Sequence, residues 1–445
     1  MTKAAQRWTD DEFAGLDLGD IRLNKRAKIL MERFAAHPEA SIPAACDGWS
    51  ETVAAYRFLS NTDVDWRAIL EPHWVRTQER MRAHPVMLCI QDTTELDFNG
   101  QETAGLGPLN YEARRGMYVH PTYAVTPERE PLGVIDAWMW AREPRNADGV
   151  RPGQKESTRW IEGYERIAEM AAQMPQTRLV YLADREADMV AMMRRARELN
   201  TPADWLVRAK HNRCLPDGEK LWSYTTAGGA LGEIAFTMPT RGTQKARPVR
   251  QQVWARSVEI ADGKGGIINA TCIIAREIGA PQGVKSIEWR LLTNRRVNGA
   301  DQVTELIDWY RARWEIEIYF HVLKNGCEVE TLQLAAVDRV ERALALFMVV
   351  AWRVTYLMRL GRTCPDLDAT LFFSADEIRG AYLLTKQPKP THPARLNEVI
   401  RLVAQLGGFL GRKGDGEPGV KTIWRGLDQV MTAAQTLQAL REEAS

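Results

Sequence analysis

The chain contains 445 residues, 45% of them hydrophobic and 26% charged, which fits a folded protein of two to four domains. Its formal net charge is only +1, so the overall charge gives no support to nucleic-acid binding, and such support must come from local basic clusters. The six cysteines are scattered without a CxxC pair, which excludes a zinc-binding spacing or a disulfide framework and is typical of buried thiols in a reducing cytoplasm.

The sequence also lacks signals for membranes and for nucleotide binding. Residues 1–13 contain no apolar segment of a secretion signal. The longest apolar stretch, residues 343–352, is too short to span a bilayer and predicts a buried helix. From the short length of this stretch we expect no membrane partner. No Walker A loop is present, so we expect no ATP binding.

Residues 1–70 have the pattern of a helical domain. Asp20 is placed to cap a helix whose apolar positions share one face, namely Leu23, Ala27, Leu30, Met31 and Phe34. A second face of the same helix carries Arg22, Lys25 and Arg26. A short helical unit with a basic face is suited to binding a DNA duplex, although a solvated surface helix has the same pattern.

Residues 71–214 alternate between strand and helix patterns and are interpreted as the first part of an α/β catalytic domain. Three strands, a helix, and then strand, helix and strand is the order of an RNase H-like domain with a mixed five-stranded sheet. The predicted strands are residues 86–91, 117–125, 132–140, 178–183 and 205–209, and the predicted helices are residues 155–171 and 186–198.

Residues 215–285 differ in composition, because Gly, Pro and Thr become frequent. Alternating patterns at 249–260 and 266–274 predict antiparallel strands, so we interpret this segment as an all-β insertion in the catalytic domain. Such strands can lie against DNA phosphates or can simply expose solvated faces. The basic residues concentrated here are Arg241, Lys245, Arg247, Arg250 and Arg256.

The remainder of the chain is predicted to be mostly helical. Residues 286–362 form the second part of the catalytic domain, with a helix at 301–324, followed by the stop signal Asn325-Gly326, and an apolar helix at 335–360. Residues 363–445 form a helical C-terminal domain that is available for dimerisation. The predicted domains are therefore 1–70, 71–214, 215–285, 286–362 and 363–445.

Phosphodiester cleavage by two hard cations requires carboxylates that converge from separate elements. Asp92 is the first candidate, because it ends the apolar strand that opens the α/β region. A carboxylate at the end of a central strand is accessible to a metal ion, but an Asp here can also form an Asx-turn with Thr94. Glu95 and Asp97 are nearby competitors for the same role.

Asp184 is the second candidate. It follows another apolar strand and precedes a helix, in the segment Asp184-Arg185-Glu186-Ala187-Asp188. The same place in a fold suits a metal ligand and a helix N-cap, and both interpretations stay open. Acidic residues in the first turn favour the helix dipole, so we assign no metal role to Glu186 or Asp188.

The third candidate, Glu317, comes from the helix predicted at 301–324. At about 100° per residue, four polar residues occupy a sector of roughly 60°: Tyr310, Arg313, Glu317 and Lys324. An apolar stripe lies beside them, namely Val303, Ile307, Trp314 and Ile318, so Glu317 would lie at the edge of the core face and Glu315 well away from it. The alternative is an exposed i,i+4 ion pair of Arg313 and Glu317.

These motifs resemble those of the IS4 family of bacterial transposases. The spacing Tyr310-x2-Arg313-x3-Glu317-x6-Lys324 matches the YREK signature of that family, and residues 92–94 and 184–188 match its other two acidic motifs, in order. Shorter similar segments extend the resemblance over nearly the whole chain, at residues 55–58, 155–157, 207–211, 289–293 and 406–409.

The resemblance implies specific roles for residues. Asp92, Asp184 and Glu317 would form a DDE triad that holds two Mg²⁺ ions, for which Mn²⁺ can substitute. The remaining residues would contact DNA: Tyr310, Arg313 and Lys324 the phosphates of the transferred end, Arg208 and Lys210 the DNA near a strand end, and Trp289 a flipped base. Trp289 can equally be a core aromatic residue in a strand.

The resemblance also implies a function. A family member would cut the end repeats of a mobile element through a DNA hairpin and join the 3′ ends to target DNA, acting as a homodimer on double-stranded DNA in the bacterial cytoplasm, at the nucleoid. Two alternatives are a catalytically idle, transposase-derived DNA-binding regulator and a general RNase H-like nuclease. The presence of Asp92, Asp184, Glu317 and Lys324 together favours the enzyme over the regulator, because a protein that only binds DNA has little need for all four.

Overall fold

The structure is a computed structural model that describes residues 3–238, 246–388 and 390–443. A helical N-terminal region precedes the sheet. Its second helix begins at the predicted cap, since Asp20 accepts a hydrogen bond from the Arg22 backbone N–H at 2.8 Å, and Ala27, Leu30, Met31 and Phe34 are buried as predicted. The helices are α1 (Lys3–Glu12), α2 (Ile21–Ala36), α3 (Ile42–Ala45), α4 (Trp49–Leu59) and α5 (Trp66–Met81).

The catalytic region follows with the predicted alternation of strands and helices. The helix predicted at 186–198 is divided in the structure, because a single 3₁₀ turn at 185–187 precedes the α-helix that begins at Val190. The elements are β1 (Val86–Gln91), β2 (Thr94–Asp97), β3 (Gly107–Pro108), β4 (Arg115–Val125), β5 (Pro131–Trp140), α6 (Thr158–Gln173), β6 (Arg178–Ala183), α7 (Val190–Glu198) and β7 (Asp204–Arg208).

The strand order confirms the predicted α/β fold with a mixed sheet. Strands β5, β4, β1, β6 and β7 are neighbours in that order, with antiparallel pairing of β5, β4 and β1 and parallel pairing of β1, β6 and β7. Parallel strands end at the same edge of a sheet, so the C-terminal ends of β1 and β6 lie side by side.

The insertion extends this sheet and does not form a separate one. It is not all-β as predicted, because the helix α8 (Leu221–Ala227) precedes its strands β8 (Gly232–Met238), β9 (Arg247–Ala261) and β10 (Ile267–Glu277). Strand β11 (Glu288–Thr293) then pairs with both β10 and β7. Three of its basic side chains have partners: Arg247 pairs with Glu277, Arg250 with Glu233, and Arg256 donates to the Tyr224 carbonyl. Arg241 and Lys245 lie outside the described residues.

Helices complete the chain after the sheet. They are α9 (Ala300–Arg311), α10 (Trp314–Asn325), α11 (Val337–Thr363), α12 (Ala375–Leu384), α13 (Leu396–Leu406) and α14 (Val420–Glu443). By length and composition α11 could cross a membrane, but 83% of its most apolar window is buried inside the protein, as in the core helix that the sequence predicts.

The prediction of one continuous helix at 301–324 is wrong, because Ala312 and Arg313 form a turn between α9 and α10. The turn changes the direction in which successive side chains point. The polar and apolar faces predicted for one continuous helix are therefore wrong for the residues after Arg313. Glu315, expected away from the core, is buried and paired with Arg359, whereas Trp314, expected in the apolar stripe, is 48% exposed.

Two layers of hydrophobic core cover the two faces of the sheet. Alternate side chains of β1 and β6 pack on one face with helices α9, α10 and α11, and the others pack on the opposite face with α6 and α7. The expected burial of the cysteines holds for Cys46, Cys89, Cys272 and Cys327; Cys214 is exposed and Cys364 is half-buried.

Candidate active site

Asp92 and Asp184 follow paired strand ends. Gln91 at the end of β1 is opposite Ala183 at the end of β6 in the parallel ladder, so the next residue of each strand emerges at the same edge of the sheet. Each Asp has the same parity as the side chains on the face that α9 and α10 cover. Strand geometry therefore places both carboxylates on one face, towards those helices.

Arg313 connects the third acidic residue to this edge. Its guanidinium donates to the Asp92 carboxylate and lies 3.4 Å from Glu317 Oε1. Arg313 is in the turn that precedes α10, and Glu317 is one turn later in that helix. Arg313 thus joins Asp92 to Glu317, and Asp184 at the neighbouring strand end is near enough for its charge to act on Asp92 and Arg313.

The electrostatics of Asp92 reflect this convergence. Burial raises the pKa of Asp92 to about 7, against the attraction of Arg313, and the charges of Asp184 and Glu317 act in the same direction as burial. The pKa of Arg313 is raised despite burial, because the Asp92 carboxylate stabilises its charge. The site therefore holds more negative charge than one arginine compensates.

The alternatives left open for the acidic residues have definite outcomes. Asp92 forms no Asx-turn with Thr94; its Oδ1 accepts from the Thr93 backbone N–H at 2.8 Å. Asp184 is an N-cap, since it accepts from the Glu186 N–H at 2.7 Å, and capping by one oxygen is compatible with a metal role. The i,i+4 contact of Arg313 and Glu317 is also present.

The competing acidic residues of β2 are engaged elsewhere. Glu95 accepts hydrogen bonds from the Asn110 backbone N–H and the Tyr118 hydroxyl, and Asp97 pairs with Arg114 at 2.6 Å. Both have the opposite parity to Asp92 along the chain. Neither belongs to the group around Arg313.

The other residues of the YREK motif lie on both sides of the helix turn. Tyr310, at the end of α9, is buried, and burial raises its pKa to about 12 although Arg313 and Arg208 oppose the rise. Lys324, at the end of α10, is 3.4 Å from Glu330. The structure thus brings Tyr310 close to the acidic group, whereas Lys324 lies about two turns after Glu317 in α10 and is paired with Glu330.

The predicted DNA contacts from the strands occupy the neighbouring edge. Arg208 ends β7 with an exposed side chain, and the Lys210 side chain is exposed just beyond it. Trp289, in β11, is half-buried and stacks on Phe236 of β8 with ring centroids 5.3 Å apart. Trp289 therefore packs against a side chain of β8, a strand that does not pair with β11, and is not enclosed in the core.

The predicted DNA-contacting face of α2 is accessible. Lys25 is exposed and Arg26 half-exposed, and the Arg22 side chain, 88% exposed, pairs with Asp20. These contacts are compatible with a DNA interface and with a solvated helix, so their role stays a prediction.

Sequence reasoning missed the structural part played by Asp188. This buried carboxylate pairs with Arg213 at 2.6 Å and accepts hydrogen bonds from the backbone N–H groups of Lys210 and His211. It thereby holds the segment that leaves β7 beside the turn that Asp184 caps. The acidic motif at 184–188 contained the signal, but its last Asp was interpreted only as a helix-dipole residue.

The residues of the site fit a divalent metal ion by their chemistry. In the described part of the chain, no three histidine, cysteine or carboxylate side chains are already arranged as a ligand set. Asp92, Asp184 and Glu317 nevertheless supply only carboxylate oxygens, the donors that Mg²⁺ and Mn²⁺ prefer. Their unbalanced negative charge favours a cation beside or in place of Arg313.

Family models match three successive parts of the chain. A transposase DNA-binding model matches residues 5–64, a transposase DDE domain model matches residues 161–352, and a model of the Tn5 transposase dimerisation domain matches residues 349–442. The DDE match includes Asp184, Arg313 and Glu317.

A solved structure was also found, the cryo-EM structure of a piggyBac transposase synaptic complex with hairpin DNA. It is 8% identical, with a TM-score of 0.40, and the likeness covers 87% of this chain and 79% of that chain. Because this TM-score is low, the likeness carries no argument about the class of protein, which rests on the family models alone. With a DNA-binding, a DDE and a dimerisation match in one chain, this protein is a DDE-type transposase that resembles the Tn5 transposase.

Proposed function

We propose that the chain is a cut-and-paste transposase in which Asp92, Asp184 and Glu317 hold two Mg²⁺ ions. The observation that carries this proposal is that Arg313 contacts both Asp92 and Glu317, while Asp184 follows the neighbouring strand end and its charge acts on Asp92 and Arg313. When bound, two divalent cations would supply activation of the attacking oxygen and stabilisation of the charge on phosphorus. The DDE match itself implies dependence on a divalent metal.

The side chains of the chain would hold and orient the DNA. Asp92 and Asp184 would hold the ions from rigid strand ends, and Glu317 from the facing helix. The Arg313 guanidinium, released from Asp92 by a cation, would be free to donate two parallel hydrogen bonds to two oxygens of a phosphate. Tyr310 would remain protonated near neutral pH, because its pKa is about 12, and could donate its hydroxyl to the same phosphate.

The proposed reaction is a series of in-line phosphoryl transfers at this site. Water cleaves one strand at the element end, the freed 3′-hydroxyl attacks the opposite strand to form a hairpin, a second water opens the hairpin, and the 3′-hydroxyl attacks target DNA. Each step exchanges one phosphodiester oxygen for another, so no covalent protein–DNA intermediate is required. Trp289 would support a base that cannot remain stacked in the hairpin tip.

The remaining parts of the proposal concern assembly and location. We propose that Arg22, Lys25, Arg26, Arg208, Lys210 and Lys324 contact the end repeats, and that two copies pair through the C-terminal helices, where the dimerisation model matches. We further propose that the protein acts in the bacterial cytoplasm, at the nucleoid. The predicted domain limits stay part of the proposal.

The test uses linear DNA that carries the short inverted repeats flanking the gene. We expect cleaved and hairpin-ended products with Mg²⁺, none with a chelator, and none from an Asp184→Ala variant. Asp97→Asn is the matched control, because Asp97 is an acid near Asp92 that pairs with Arg114. Equal activity of the Asp184→Ala variant would refute the site, and repeat binding without cleavage by the wild type would favour the idle regulator.

A further inference from the structure

The segment that presents Asp92 is an interruption within one strand. β1 and β2 pair with the same side of β4 in a single register, which places Asp92 opposite Pro121 and Thr93 opposite His120. Proline has no backbone N–H to contribute to a ladder, which favours a break at this point. The backbone at Asp92 therefore lacks the regular strand pairing that holds the rest of β1 and β2.

A side-chain hydrogen bond is present where the ladder is interrupted. Thr93 Oγ1 and His120 Nδ1 are 2.6 Å apart. Directly opposed residues of an antiparallel pair point to the same face, so the register explains why these two side chains meet. The Thr93 backbone N–H in turn donates to Asp92 Oδ1 at 2.8 Å. Thr93 thus joins His120 to the carboxylate on the opposite face of the sheet.

His120 is buried and forms no other hydrogen bond or ion pair among the described residues. Its ring is 1% exposed and is surrounded by the indoles of Trp138, Trp140 and Trp160, the last at 4.7 Å in an edge arrangement. Nε2 is buried without a hydrogen-bond partner. In the tautomer with its N–H at Nε2, the ring accepts the hydrogen bond of the Thr93 hydroxyl at Nδ1.

We propose that Thr93 and His120 are positioning residues for Asp92, whose hydrogen bond sets the carboxylate at the place where it binds a divalent cation. The inference rests on the proposed function, because it takes Asp92 as a metal ligand. Loss of the hydrogen bond leaves DNA-end binding intact and weakens metal binding, and cleavage then requires more metal.

The first experiment compares two substitutions at Thr93 with one control. Thr93→Val removes the hydroxyl at constant shape, and Thr93→Ser keeps it. Thr122→Val is the matched control, because Thr122 is a buried threonine of the same strand as His120 whose hydroxyl has no hydrogen-bond partner in the described structure. Mn²⁺ affinity of the protein–repeat complex is measured by electron paramagnetic resonance of free Mn²⁺, and the Mg²⁺ midpoint by cleavage.

We expect Thr93→Val to raise the Mn²⁺ dissociation constant and the Mg²⁺ midpoint by about three- to tenfold, the effect of one lost hydrogen bond. Thr93→Ser and Thr122→Val should match the wild type, and repeat binding without metal should be the same for all four proteins. A purely structural role would lower the melting temperature without shifting either metal constant, and that result would overturn the proposal.

Substitutions at His120 complete a double-mutant cycle. His120→Leu removes the acceptor, whereas His120→Asn keeps a polar atom near the Nδ1 position and should recover part of the metal affinity. In the Thr93→Val/His120→Leu double variant the loss should be no larger than in either single variant. Additive losses would overturn the pairing, and if His120→Leu fails to fold, the Thr93 pair of variants decides.

Different results would contradict the proposed cleavage function and the positioning role of Thr93 and His120. A wild type that binds Mn²⁺ but leaves the repeats uncut contradicts the cleavage function, while the Mn²⁺ constants of Thr93→Val and Thr93→Ser still decide the positioning role. A wild type that cleaves, with Thr93→Val equal to it in both metal constants, contradicts the positioning role alone.

Discussion

Two clusters in this protein combine buried carboxylates with arginine, and their acidities are shifted in opposite directions. At the candidate active site, burial and neighbouring acids raise the pKa of Asp92 to about 7. In the cluster that joins α1, α5 and β5, burial would raise the pKa of Glu12 too, but His73 and Arg80 lower it to about 2. The difference lies in the partners of each carboxylate.

Both oxygens of Glu12 are satisfied by cationic or polar donors. Arg80 donates to them at 2.9 and 3.0 Å, and the His73 Nδ1–H donates to Oε1 while its Nε2 accepts from the Val134 backbone N–H at 3.0 Å. The acids around Arg313 outnumber the cation that pairs with them. On our proposal, the acidic excess at the sheet edge would bind added cations, whereas removal of one partner from the balanced Glu12 cluster would mainly destabilise the fold.

The largest expected effect is a loss of cleavage activity when an acid of the candidate active site is replaced, with little change in stability. Glu317→Gln should lower repeat cleavage by about a thousandfold or more, since metal coordination supplies several kcal/mol of the rate enhancement. Because the Glu317 side chain is 44% exposed, the free energy of unfolding should change by less than about 0.5 kcal/mol. Cleavage kinetics and urea unfolding measure the two effects, and a large loss of stability would contradict the distinction.

The reciprocal variant should affect stability and not chemistry. Glu12→Gln breaks a buried ion pair, so the free energy of unfolding at pH 7 should fall by about 3 kcal/mol. Cleavage at a temperature well below the melting transition should remain within about twofold of wild type, since the substitution leaves the acids around Arg313 untouched. Loss of cleavage in a fully folded Glu12→Gln protein would show that the clusters are coupled.

Removal of the arginine should sharpen the contrast at the site. Arg313→Ala leaves the acids uncompensated, so stability without metal should fall by about 2 kcal/mol, a moderate loss because Asp92 can take up a proton. Mg²⁺ should then raise the melting temperature more in the variant than in the wild type, because no guanidinium competes for the carboxylates. An equal Mg²⁺ response in both proteins would argue against a shared cation site.

The smallest expected effect is the dependence of the free energy of unfolding on acidic pH, which Glu12 should control. The folded-state pKa of Glu12 is lowered from 4.5 to about 2, so its stabilisation is complete above pH 4.5 and is lost as the pH falls towards 2. In this window the wild-type free energy of unfolding should fall more steeply than that of Glu12→Gln, by up to about 1.4 kcal/mol per pH unit. Urea unfolding at several acidic pH values measures the slopes, and parallel slopes would contradict the shifted pKa.

Much of the sheet and two of the acidic residues are predictable from local patterns. The apolar runs that became β1 and β6 have the predicted limits, and a strand alternates its side chains with a period of two. Asp92 and Asp184 share the parity of the residues on one sheet face, so their common orientation follows from counting along each run. The basic face and the cap of α2 follow from helical periodicity in the same way.

The third acidic residue shows where local patterns end. Residues 310–316 contain no glycine or proline, so nothing in their composition predicts a break in the helix. The break depends on partners far along the chain, since Arg313 binds Asp92 and Glu315 binds Arg359. A helical projection of the sequence therefore reversed the environments of Glu315 and Glu317.

By itself the sequence determined the order of strands and helices, the motifs and the family resemblance, because these depend on neighbours in the chain. Only the tertiary structure decided which acids converge, which become balanced by cations, and how Thr93 reaches His120. Those outcomes depend on the desolvation of a charge and on its distance from charges hundreds of residues away, and neither quantity exists until the elements have packed together.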